Sequence, residues 1–247
     1  MLRANKNQKR LPIQIVRVYW REDKNSLIYE SNLKMVTIGL CNLKGGVSKS
    51  LTAVHLAAFL ARHQRKVLVI DCDMQQSSAK WLAKINEPLI EVFTSDDMDD
   101  IEDALLDLSN DFDYVVVDTG ANATAIMDMV MSYCDHVLIP TQPGELDGDS
   151  TELTIKRLLR AKRRKPSLTG TVFLARVFKN TITQRQTIER FENYEGITLS
   201  PAQIVNTQRL IKLVNTHQTA LDAAGCKDLA LEFTKLFTPL LTTTNEK

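Results

Sequence analysis

Residues 40–52, LCNLKGGVSKSLT, hold two glycines, two lysines and two serines between an apolar run and a helix-like run. That composition suits a loop wrapped around a chain of phosphates. Successive backbone N–H groups turn inward, a lysine supplies charge, and a hydroxyl faces Mg²⁺. The strict pattern G-x-x-x-x-G-K-[ST] is not met: its glycine positions hold Leu43 and Ser48, and only Lys49-Ser50 fits. Two further apolar runs end in acid. KVLVI, 66–70, is followed by Asp71-Cys72-Asp73, and YVVV, 114–117, by Asp118. A lysine, a hydroxyl and carboxylates at strand ends are the parts phosphoryl transfer needs: charge on the β- and γ-phosphates, a metal ion and a held water.

The elements that must position them alternate. Strands are expected at 35–41, 66–70, 89–93, 114–117, 136–139, 171–177 and 203–205. Helices are expected at 50–63, 97–108, after the loop 119–123, and at 149–164, 184–194, 208–215 and 227–237. Asp149 and Glu152 are placed as N-cap and N3 of the 149–164 helix. Methionines 127, 129 and 131 read as core filler. The pattern predicts an α/β fold, a mostly parallel twisted sheet with helices on both faces. Ligands bind such sheets at the carboxyl ends of the strands, where the lysines and aspartates converge.

Lys44-Gly45-Gly46-Val47-x-Lys49-Ser50 resembles the deviant Walker A motif, K-G-G-x-G-K-[ST], of the ParA/MinD family of P-loop ATPases, with ParA-type partition ATPases the nearest group. The resemblance spans roughly residues 35–237 and is strongest over 35–76 and 113–143. It implies ATP and Mg²⁺ as ligands, with Lys44, Gly45, Gly46, Val47, Ser48, Lys49, Ser50 and Leu51 around the nucleotide. Ser50, Asp118 and Asp71 would serve the metal, and Asp71 would also support Asp73, which orients the attacking water. Lys44 falls on the family's signature lysine, which reaches the partner subunit's nucleotide, so the resemblance implies a homodimer when ATP is bound. Departures are Ser48 for glycine, Met74 for proline before Gln75, and Gly120 in a loop that often carries proline. A left-handed backbone at Ser48 would strain it. The adenine pocket is expected near 176–180 and 205–207.

Composition bounds the rest. A chain of 247 residues with 44% hydrophobic and 25% charged residues suits one large domain, and a net charge of +1 names no partner. Cys41, Cys72, Cys134 and Cys226 are far apart, against zinc or a disulfide framework and in keeping with a reducing cytoplasm. Residues 1–34 read as a basic arm or added strand, with a short strand at 12–20 and Arg3, Lys6, Lys9 and Arg10 as candidate contacts; 35–247 read as the ATPase domain. No apolar stretch approaches a membrane span.

Between 156 and 165, seven of ten residues are cationic. Lys156 heads the set, and Arg157, Arg160, Lys162, Arg163, Arg164 and Lys165 are the candidate DNA contacts. A helix C-terminus favours cations, yet a dimer would present the cluster twice, enough to grip DNA phosphates without reading sequence. ParA-type relatives bind DNA non-specifically and answer to a centromere-binding or adaptor protein, implying a slow switch associated with the nucleoid. A MinD-type membrane switch is the alternative. It needs a basic amphipathic C-terminal helix, and 229–241 carries only Lys235 within it. A relative of the nitrogenase iron protein would need paired cysteines that Cys134 alone does not supply. The acids Asp96, Asp97, Asp99, Asp100, Glu102 and Asp103 read as a solvated helix face.

Overall fold

The computed structural model describes residues 16–21, 26–31, 35–107, 111–121 and 123–242, which fall into two units, 1–34 and 35–247. In the first, β1 (Val16–Arg21) and β2 (Ser26–Ser31) form an antiparallel hairpin, with Val16 opposite Ser31 and Arg21 opposite Ser26. The strand expected over 12–20 overlaps β1. Its first residues, and Arg3, Lys6, Lys9 and Arg10, lie outside the described residues.

The second unit is a seven-stranded parallel sheet with helices on both faces. In chain order it runs β3 (Val36–Leu40), α1 (Lys49–Arg62), β4 (Val67–Asp71), α2 (Ser77–Ile85), β5 (Ile90–Thr94) and α3 (Met98–Leu106). Then come β6 (Tyr114–Asp118), α4 (Thr124–Tyr133), β7 (His136–Thr141), α5 (Glu145–Arg164), β8 (Thr169–Val177), α6 (Ile182–Phe191), β9 (Thr198–Val205), α7 (Gln208–Thr216) and α8 (Lys227–Thr242). Across the sheet the order is β5-β4-β6-β3-β7-β8-β9.

The central strands are apolar throughout because both faces are covered. In β4, Val67 and Val69 join the core under α1, α2, α7 and α8, while Leu68 and Ile70 join the core under α3 to α6. β6 divides the same way, with Tyr114 and Val116 on one side and Val115 and Val117 on the other. The apolar stripe of α8, Leu229, Phe233, Leu236, Phe237 and Leu240, is buried in the first of these cores. All four cysteines are free and buried. Burial pushes the Cys41 thiol up to about 12, so it packs as a small apolar group.

Four elements differ most from expectation. α2 is not foreseen by the pattern: its apolar residues fill little more than two turns, too few for a clear helical period. Its start is held instead by the distant Asp71 carboxylate, which accepts from Ser78 Oγ at 2.8 Å and Ala79 N–H at 3.0 Å. α5 begins at Glu145, not Asp149, with Glu145 and Asp147 in its first turn, where acids complement the helix dipole. Asp149 and Glu152 are therefore not caps: they bind Arg190 of α6, at 2.6 and 2.7 Å. β9 is longer than 203–205, and α8 runs beyond 237 to Thr242.

Candidate nucleotide site

The loop between β3 and α1 is shaped by two left-handed residues, Gly46 at φ 75° and Ser48 at φ 80°. Glycine adopts that region freely, and serine is strained there. Ser48 is the N-cap of α1 but gives no side-chain cap, and no acid lies in the first turn. The N-terminus of a buried helix is thus left without a protein anion, the condition for binding a phosphate.

Other side chains brace the loop. Asn42 Nδ2 donates to the Pro140 carbonyl at 2.8 Å and Thr151 Oγ1 at 3.2 Å, while Asn42 Oδ1 accepts from Lys44 N–H at 2.9 Å. Leu43 N–H donates to Thr154 Oγ1, and Gln142 Nε2 donates to the Gly46 carbonyl at 2.9 Å. The Lys49 ammonium sits within the loop, donating to the carbonyls of Asn42 and Lys44, each at 3.0 Å. Burial pulls its pKa below the ordinary lysine value, and Asp118 draws it back up.

Gly45, Gly46, Ser48, Lys49, Ser50, Leu51 and Asp73 line one cavity of about 470 Å³. Val47 is buried beneath the loop. Lys44 stands to the side, half-exposed, its Nζ 2.7 Å from Asp147 Oδ2 on α5. Asp73 is held by its surroundings: its N–H donates to Asp71 Oδ1 and its own Oδ1 accepts from Gln75 N–H at 2.9 Å. Gly120 lets the loop after β6 close on it, since a Cβ there would come within 3.3 Å of the Cys72 carbonyl.

Asp71 and Asp118 are paired in register at the ends of β4 and β6, and both are buried. Asp71 spends its oxygens on Asp73, Ser78 and Ala79. Asp118 has no hydrogen-bond partner on either oxygen. Burial raises its pKa to about 7, the Asp71 charge adds to the rise, and the nearby hydroxyls of Ser50 and Ser78 and the charge of Lys49 oppose it. A buried carboxylate without donors, beside a serine hydroxyl, is a site that a hard divalent cation satisfies. Among the described residues no cluster of three or more His, Cys, Asp or Glu could hold a metal alone, so phosphate and water oxygens would have to complete the shell.

Sequence reasoning missed part of the cavity wall: Gln75, Ser77, Lys80 and Trp81 from the β4–α2 segment, Ala121, Val214 from α7 and His217 just after it. Of the region expected for adenine, Arg176 lines the cavity, but Lys179, Asn180, Val205 and Thr207 do not. Three of the seven, Ser77, Lys80 and Trp81, belong to α2, whose existence the pattern did not reveal.

The cations of α5 lie at its other end. Arg157 is paired with Asp128 at 2.6 Å and Lys165 with Asp135 at 3.3 Å, and Lys162 donates to the Gly196 carbonyl at 3.4 Å. Among the described residues no ion pair engages Lys156, Arg160, Arg163 or Arg164. No described helix is long and apolar enough to cross a membrane.

The family model described as CobQ/CobB/MinD/ParA nucleotide binding domain matches residues 38–221. Maintenance of carboxysome distribution protein A of Halothiobacillus neapolitanus is 31% identical over 145 residues, 57% of this chain and 66% of that protein. Protein virC1 of Rhizobium radiobacter is 25% identical over 168 residues, 64% of this chain and 73% of that protein. Among solved structures, apo McdA from Cyanothece superposes with a TM-score of 0.69 at 19% identity, covering 84% of this chain and all of that one. At that identity the likeness speaks for the fold, while the family model covers most of the chain together with its phosphate loop. The chain belongs to the CobQ/CobB/MinD/ParA family of nucleotide-binding proteins.

Proposed function

We propose that the protein is a ParA-type ATPase, a switch that dimerises on ATP, binds DNA non-specifically in that state, and positions a cargo. The observation that carries the nucleotide half is the pairing of an uncapped, acid-free helix start at Lys49 with the orphaned Asp118 carboxylate beside Ser50. In this reading Lys49 leaves the loop carbonyls for the β- and γ-phosphates, and Ser50 and Asp118 hold Mg²⁺. When bound, the ion neutralises charge that develops on the phosphate oxygens. Asp73, its carboxylate fixed by Gln75 N–H, orients the water. Asp71 keeps Asp73 and the start of α2 in place.

Lys44 acts in the partner subunit. Its pairing with Asp147 leaves its own side chain 38% exposed but Asp147 only 16% exposed, so exchange of Asp147 for a partner's phosphate leaves a largely buried carboxylate unpaired, a cost that the phosphate contact must offset. DNA would meet Arg160, Arg163 and Arg164 first, because Arg157 and Lys165 already have carboxylate partners. The cargo reading rests on the name of the carboxysome-distribution relative, and an adaptor protein that stimulates hydrolysis goes with it. The apolar stripe of α8 is buried in the core, which counts against the membrane alternative.

The test is a DNA titration with and without ATP at two salt concentrations. Binding should need ATP and fall at least about tenfold between roughly 50 and 200 mM salt, as counterion release requires. Replacing Arg160, Arg163 and Arg164 by alanine should flatten the salt slope more than replacing Arg157 and Lys165. Equal binding without ATP, or binding to anionic vesicles in place of DNA, would overturn the reading.

A further inference from the structure

The first half of α5 carries two stripes of contacts on opposite faces. Asp147, Ser150, Thr151 and Thr154 follow one another at helical spacing, and all four meet the phosphate loop. Asp147 holds the Lys44 ammonium at 2.7 Å, and Ser150 Oγ donates to Asn42 Oδ1 at 3.1 Å. Thr151 Oγ1 accepts from Asn42 Nδ2 at 3.2 Å, and Thr154 Oγ1 accepts from Leu43 N–H at 3.3 Å. Glu145, Gly148, Asp149 and Glu152 repeat the same spacing two positions earlier, which places them about 200° around the helix. This second stripe meets a single side chain, Arg190 of α6.

The Arg190 guanidinium donates through Nε to Glu152 at 2.7 Å, through Nη2 to Asp149 at 2.6 Å and through Nη1 to the Glu145 carbonyl at 3.4 Å. Between those bonds it presses on Gly148. A Cβ at that position would overlap Nη1 and stand 2.9 Å from Cζ, well inside van der Waals contact. Gly148 lies within the helix and is buried, so the backbone does not ask for glycine there, and glycine weakens a helix interior. The guanidinium is what requires it. The part of α5 that braces the loop is therefore gripped from behind, and it cannot turn without breaking the bonds to Arg190.

We propose that Arg190 is a positioning residue for ATP hydrolysis: by gripping α5 across Gly148 it fixes the opposite stripe, and with it the placement of Lys44. The inference rests on the reading above, in which Lys44 serves the partner's nucleotide. Its effect falls on turnover more than on binding. The loop has a brace outside α5, from Gln142 Nε2 to the Gly46 carbonyl. Among the described residues, by contrast, the ion pair of the Lys44 ammonium is to α5.

The test uses the full chain with ATP and Mg²⁺. Gly148→Ala displaces the flexible guanidinium while giving the helix a better former. It should lower kcat about tenfold through misplacement of a reacting group, and leave the unfolding midpoint unchanged or raised. ATP affinity should change by less than about twofold, as for a contact that serves the transition state. Arg190→Ala should show the same loss of kcat, and the double variant should be no slower than Arg190→Ala, since both changes break one contact. Arg190→Lys keeps the charge but not the fork, and should not restore kcat. If the parent hydrolyses ATP, Lys44→Ala abolishes it, and Gly148→Ala and Arg190→Ala turn over normally, the nucleotide reading stands and the role of Arg190 falls. The role also falls if kcat drops only in step with the unfolding midpoint, as for a merely structural bridge. A parent that neither binds nor hydrolyses ATP overturns the nucleotide reading, and this inference with it.

Discussion

β4 and β6 are neighbours, each apolar for four residues and each closed by an aspartate, with Asp71 and Asp118 directly opposite one another. Their sequences read alike, but their states differ. Asp71 is fully engaged by its own chain, whereas Asp118 has nothing on either oxygen and is pushed up to about 7. The difference lies in the path the chain takes out of each strand. After β4 it turns at Gln76 into α2, which brings Ser78 and Ala79 back to Asp71. After β6 it leaves by Thr119, whose hydroxyl goes to the Leu40 carbonyl at 2.7 Å, and Asp118 receives nothing. A carboxylate whose bonds are made supports structure; the bare one is the residue that the proposed function gives to Mg²⁺.

The strongest way to break this contrast is to remove each charge. Asp118→Asn should lower ATP hydrolysis about a thousandfold, since metal-assisted charge stabilisation is lost. The metal-free fold should nevertheless gain on the order of 1 kcal/mol at about pH 8. The sign comes from the raised pKa: the folded state holds the Asp118 proton more tightly than the unfolded chain does. Stability from this group is therefore present at low pH, declines from about pH 4 to 7, and stays lost above. Asn removes that loss but also the attraction for Lys49. Asp71→Ala should do the reverse, costing about 3 kcal/mol of stability in thermal or urea unfolding as the bonds to a buried carboxylate go. If Asp71→Ala spared the fold and Asp118→Asn unfolded it, the assignment of roles would be inverted.

His55 tests the partnered side of the contrast by pH alone. It is buried in α1, with Nδ1 at 2.7 Å from the Leu51 carbonyl and Nε2 accepting from Ala220 N–H at 3.0 Å. Those two partners fix the neutral ring with its hydrogen on Nδ1. Burial depresses its pKa to about 4. Its contribution is therefore intact above about pH 6.5 and lost as pH falls from there toward 4, by up to about 3 kcal/mol. His55→Gln, which can also donate and accept, should flatten that acid limb in unfolding measurements. His136, held near 4 by burial as well, keeps the limb from vanishing. An unchanged acid limb would mean that His55 is not held neutral by its partners.

The smallest effect concerns Ser48. Ser48→Gly should stabilise the fold by about 1 kcal/mol by relieving the left-handed backbone. A loss of stability would show that the serine is compensated by contacts of its own.

Much of this is legible in the chain for a simple reason. Buried parallel strands announce themselves as short apolar runs, and their terminal Lys, Ser and Asp residues mark the sheet edge where ligands bind. The parts that escape depend on contacts distant in sequence. α2 is anchored by Asp71 from the preceding strand rather than by a local cap. The Lys44–Asp147 pair joins residues 103 apart. Trp81 and His217 meet at one cavity only because α2 and α7 pack on the same face. The start of α5 is hidden for a related reason: Asp149 and Glu152 look like caps locally, but Arg190 claims them.

α5 has one further consequence. It is a single helix of 20 residues, about 30 Å long. Its first half is bonded to the phosphate loop through Asp147, Thr151 and Thr154, and its second half bears the cations from Lys156 to Arg164. The helix is thus a lever arm whose fulcrum is the nucleotide loop. A rotation of about 5° at Thr154 would move Arg164, about 15 Å further along the helix, by roughly an ångström.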